Sequence, residues 1–130
     1  MHDQPTASEL LDAVAKFLRE QAMPQLDGHA AFHARVSANA LDIVRRELEF
    51  GAEAANSERK RLTAILGHEG RLLDLTRELS ERIGAGEINL ATPGLEEHLW
   101  TTTLDKLKVD QPSYASYLRE QENRSDSEGA

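Results

Sequence analysis

One segment constrains this chain more than any other. From Ala30 to Phe50 the apolar residues recur at helical spacing. On a wheel with Phe32 at zero, Val36, Ala40, Ile43, Val44, Leu48 and Leu41 spread over an arc about 180° wide. That arc is broader than the stripe of an ordinary surface helix, so the helix is expected to be central. Two polar residues interrupt it, His33 at about 100° and Glu47 at about 60°. A histidine on such a face is expected to be buried and hydrogen-bonded. Glu47 is expected to pair with a basic residue of another helix or to reach water near the helix end, because a bare buried carboxylate costs several kcal/mol.

The rest of the chain reads as four more helices. The first begins at Thr6, with Glu9 in capping-box position, and carries Leu10, Leu11, Val14, Phe17 and Leu18 on one side. It is expected to end near Met23, ahead of Pro24. The central helix is entered through Asp27-Gly28 and is expected to stop at Gly51. A third runs from about Glu53 to Leu66, with Ala55, Leu62, Ile65 and Leu66 on one face and Gly67 as its stop. A fourth spans about Glu69 to Ile83, aligning Leu72, Leu79 and Ile83, with Leu73 and Leu75 flanking. The fifth takes Thr92 as N-cap and Pro93 as its first residue, and ends around Asp110. Leu99, Trp100, Thr103, Leu104 and Leu107 span its expected inner arc. Tyr114 and Tyr117 are expected to fold the following piece back onto the bundle. The segment QENRSDSEGA has no apolar anchor and is expected to be disordered, giving a helical domain over 1–118 and an acidic tail over 119–130. No window alternates with period two. Short connections favour antiparallel neighbours, so the expected fold is all-α, a five-helix antiparallel bundle.

At 130 residues the chain is expected to form one domain with a core of its own. It has no cysteine, which excludes disulfides, thiolate metal sites and a cysteine nucleophile. A formal net charge of −8 repels phosphate backbones, so no nucleic-acid partner is expected. The short run Arg59-Lys60-Arg61 reads as a solvated helix face. No apolar run is long enough to span a membrane, and the N-terminal residues lack the order of a signal peptide, so the expected location is cytoplasmic.

Few residues offer chemistry. His29 and His33 have metal-ligand spacing, but Ala30 stands where the zinc-hydrolase pattern needs Glu, and no third ligand follows. No metal and no cofactor is expected. Arg35, Asn39, Asp42 and Arg46 step along one edge of the apolar arc. They form either a set of intrahelical pairs or, with His33, a polar seam facing a partner or a ligand. No phosphate-binding glycine loop, nucleotide fingerprint or serine-nucleophile motif is present. A general-base role for His33 has no orienting carboxylate, since His29 and Ser37 occupy the neighbouring turns.

The stretches HDQPTASELLDAVAKFLRE, FHARVSANAL and KLKVDQPSY together resemble a family of small uncharacterised bacterial all-helical proteins, across roughly His2 to Tyr114. Members are often encoded near acyl-CoA dehydrogenases and aminoglycoside-phosphotransferase-like kinases. The resemblance implies a helical accessory protein working with such enzymes, and it supplies no catalytic residues. The sequence therefore points to a non-catalytic accessory or interaction module, as a homodimer or a subunit of a metabolic enzyme complex. The alternative is a bundle that binds an acyl or phosphorylated small molecule through His33, Arg35 and Asn39.

Overall fold

A computed structural model describes residues 4–129. Among them the fold is all-α, with five helices and no strand: α1 (Ala7–Phe17), α2 (Gly28–Leu66), α3 (Leu72–Gly84), α4 (Leu95–Asp110) and α5 (Ala115–Glu128). The chain divides into two compact units, the first ending at Gly51 and the second beginning at Ala52.

In the first unit, the Thr6 side chain accepts the Glu9 backbone N–H at 3.2 Å and caps α1. The chain stays helical past Phe17 through a π turn, Leu18–Ala22, and a 3-10 turn, Met23–Gln25, that holds Pro24. Proline's missing N–H is harmless at the start of such a turn. Ser8 donates to Glu49 at 2.8 Å, and Arg19 donates to Asp42 at 2.6 Å. As α1 advances its partner recedes along α2, so the two helices run antiparallel.

The face that α2 turns inward is not its apolar arc. The buried residues of this unit are Ala15, Ala34 and Ala38. Leu41, Asp42 and Arg45 are half-buried beside them. Phe32, Val36, Ile43, Val44 and Leu48 are exposed, at 36–57% of their surface. His33 and Glu47 are exposed with them. The expectation of a buried His33 is therefore corrected: small residues let α1 sit close on one side, and the large ones face outward.

Gly51 does not stop the helix. Its φ is not positive, and α2 runs on for 39 residues, joining the second and third expected helices into one. A helix-interior glycine costs about 1 kcal/mol, less than its flanking helix formers recover. Gly67, with φ of 84°, supplies the true end.

The second unit holds a conventional core, in which Leu62 and Leu66 of α2, Leu75 and Leu79 of α3, Ile88 and Leu95 pack together with Ile65 and Leu72 at the edge. Ile65 lies against Gly94, and Arg61 reaches His98 and Thr102. These contacts make α4 antiparallel to this part of α2. Thr92 does not cap α4 as expected. Its hydroxyl accepts the Asn89 N–H at 3.0 Å within the preceding turn, and Gly94, with φ of 87°, takes the N-cap position. The tail expected to be disordered is helical through Glu128, and α5 buries no residue.

Candidate functional site

The structure gives the residues of the expected seam different neighbours. Asn39 and Asp42 turn toward the π turn that follows α1, where one guanidinium nitrogen of Arg19 donates to Asn39 Oδ1 at 2.8 Å and to Asp42 Oδ2 at 2.6 Å. Arg45 continues this network, with Glu49 at 3.2 Å and Asp42 at 4.0 Å. Arg46 is half-buried and engaged as well. Arg35 leaves the network altogether and lies over the Phe32 ring, 5.5 Å from its centroid. His33 meets the same ring edge-on at 5.6 Å and stacks on His29 at 6.4 Å. The two histidines share a face as their spacing requires. Among the described residues no group of three or more histidines, cysteines or carboxylates is placed to hold a metal.

What α2 offers instead is a surface. The exposed stripe from Phe32 to Leu48 continues over about 24 Å of helix, with Ala40 on its midline. Glu47, inside the stripe, folds its carboxylate back over Gly51, into the space a side chain there would fill. Leu10, Val14 and Phe17 of α1 are exposed as well. Monomers rarely leave continuous apolar surface of this kind uncovered.

The core histidine that the sequence placed at position 33 exists at position 98. His98 is 3% exposed and is the buried polar residue among the described residues. Its Nδ1 accepts from Arg61 Nε at 3.3 Å, while the same guanidinium donates to Thr102 Oγ1 at 3.1 Å. Burial holds His98 below the ordinary histidine value, and the Arg61 charge adds to this against a weaker pull from Glu58. The cluster is closed, and it positions α4 against α2. Spacing from Leu95 marked the position, since His98, Thr102 and Val109 follow it on one face. Leu99 and Trp100 lie on another face of α4.

Those residues form a second surface. Leu99 and Trp100, expected inside, are exposed, and with Leu90, Pro93 and Thr103 they line an open groove of about 830 Å³. Glu96 and Glu97 stand on its wall. Trp100 Nε1 donates to Glu120 Oε1 of α5 at 3.2 Å. Glu120 is held below the usual carboxylate range by its bond to Arg124 first and this one second.

No helix among the described residues is long and apolar enough to cross a membrane. No curated protein and no solved structure matches the chain. A family model described as a domain of unknown function, DUF6285, matches residues 24–114, which takes in α2, α3 and α4 and leaves α1 and α5 outside. That is well over half of the sequence, and the chain belongs to this family.

Proposed function

We propose that the chain is a non-catalytic interaction module. The observation that carries this reading is the exposed stripe of Phe32, Val36, Ile43, Val44 and Leu48 on α2. Covering such residues is worth about 25 cal/mol per Å² of apolar surface, and contiguous exposed apolar patches mark interaction sites. Its partners, on this reading, are a further copy of the chain or a metabolic enzyme of the acyl-CoA dehydrogenase or phosphotransferase-like kind. Photo-crosslinking in the native host tests it. A photoreactive residue at Val36 or Val44 is expected to give discrete protein adducts, and one at the exposed Arg77 of α3 is expected to give none. Equal labelling at all three positions, or no adduct at the stripe, overturns the reading.

A second reading, a small-ligand binder, is supported by the groove beside Trp100. Its acidic wall, Glu96 and Glu97, selects an uncharged apolar ligand over a phosphorylated one. Trp100 emission during titration with a medium-chain fatty alcohol reads this directly.

A further inference from the structure

The stripe on α2 is self-complementary about its own centre. His33 and Glu47 lie equally far from Ala40 along the chain, on opposite sides of it. So do Val36 and Val44, and so do Phe32 and Leu48. On the wheel that spacing puts His33 and Glu47 about 20° to either side of the Ala40 direction, and Val36 and Val44 about 40°. Ser37, the counterpart of Ile43, is the one position that breaks the matching by type.

Resting on the reading of this stripe as an interface, we propose that its occupant is a second copy of the chain. The partner's α2 runs antiparallel across the first, with the two-fold axis passing level with Ala40. A two-fold interface brings each residue to its counterpart and that counterpart back to it. His33 then stands level with the partner's Glu47, and Glu47 with the partner's His33, one pair at each end of the contact. Both polar residues that interrupt the apolar arc gain a partner of complementary chemistry. Val36 packs beside the partner's Ile43 on one flank, and Ala40, the smallest residue of the stripe, sits where the two helices come nearest.

Two alternatives fit less well. A parallel pair sets Glu47 level with the partner's Glu47, like charge beside like charge, which is the arrangement that helix pairs avoid. A different protein requires no matched distances about Ala40. Among the described residues of the first unit, α1 leaves the approach open, because it packs on the Ala34 and Ala38 side, about 150° around the helix from Ala40.

The chain has no cysteine, so single introduced thiols report cleanly. Full-length Ala40→Cys is expected to oxidise to a covalent dimer. Spin labels on His29→Cys are expected to lie about 33 Å or more apart, from eleven residues on each side of the axis at about 1.5 Å each. Parallel packing brings them to about 10 Å. His33→Glu is expected to weaken association at least about tenfold, and the exchange His33→Glu with Glu47→His to restore it to within about threefold. Both residues are exposed, so neither change threatens the fold. A short His29 distance, or an exchange variant that stays weak, overturns the proposal. A monomer by light scattering at about 100 µM overturns it too. In that case stripe crosslinks to another protein leave the interface reading standing, and their absence ends both.

Discussion

Arg61 donates through Nε to Nδ1 of His98 at 3.3 Å, joining α2 to α4 at the edge of the leucine core. An acceptor Nδ1 places the ring proton on Nε2 and keeps the residue neutral. His98→Ala is expected to destabilise the fold by about 2–3 kcal/mol, because it leaves a cavity and strips an arginine of its acceptor. Urea melts decide the matter, and an unchanged midpoint sinks the assignment.

Two histidines give stability opposite slopes with pH. His98 has its folded value lowered by burial, so its contribution is full above the ordinary 6.5 and declines as pH falls below it. His68 is raised, first by its bond to the Glu69 carbonyl at 3.1 Å and then by Glu78 at 2.8 Å. Its contribution is full below 6.5 and is lost as pH rises through the raised value. His68→Gln is therefore expected to steepen the loss of stability toward acid, and His98→Gln to flatten it. Midpoints measured between about pH 5 and pH 8 give both slopes. Parallel slopes in the two variants contradict the argument.

Gly51 sits inside a continuous helix with an ordinary helical φ. Gly51→Ala is expected to stabilise the chain by about 0.5–1 kcal/mol through propensity, once the exposed Glu47 carboxylate swings aside. A raised melting temperature is the expected readout. A lowered one means that Glu47 cannot move.

Arg19 bridges Asn39 and Asp42, yet its side chain is 39% exposed. Arg19→Ala is expected to cost no more than about 1 kcal/mol. A double-mutant cycle with Asp42→Ala measures the coupling, and a value well above that marks a stronger joint between α1 and α2 than exposed ion pairs provide.

Since α5 buries nothing, a chain ending at Glu120 is expected to keep its melting temperature while losing some helical circular dichroism. Glu120→Ala, which removes the acceptor of the indole N–H, is expected to shift Trp100 emission. A fall of several degrees on truncation means that the last turns of α5 dock.

Helical periodicity disclosed that helices exist and put Leu62, Leu66 and Leu79 on inward faces, but it aligned Ile83, which is exposed, and left Leu75, which is buried, on the flank. It did not disclose which side a neighbour covers. On α2 the wheel marked the arc of Phe32, Val36 and Val44, but packing chose the alanines, because close approach of two helices needs small side chains more than large ones. The same confusion of apolar with inward put Trp100 inside and overlooked His98. Gly51 misled for a different reason. One glycine weakens a helix by little, and a stop needs a positive φ or a proline behind it, as at Gly67. At the tail, composition spoke for disorder, while side-chain bonds such as Arg124 to Glu120 at 3.1 Å support a solvated helix.

The alanine face between α1 and α2 has a thermodynamic consequence. Ala15, Ala34 and Ala38 each bury a single methyl group, at about 0.8 kcal/mol apiece, against about 1–2 kcal/mol of backbone entropy for every residue ordered. If the outer stripe is an interface as proposed, whatever covers it adds to the stability of this hairpin. Mass action then enters the melting curve: diluting the protein is expected to lower the temperature at which α1 and the first half of α2 unfold, while the leucine core of the second unit melts at a temperature indifferent to concentration.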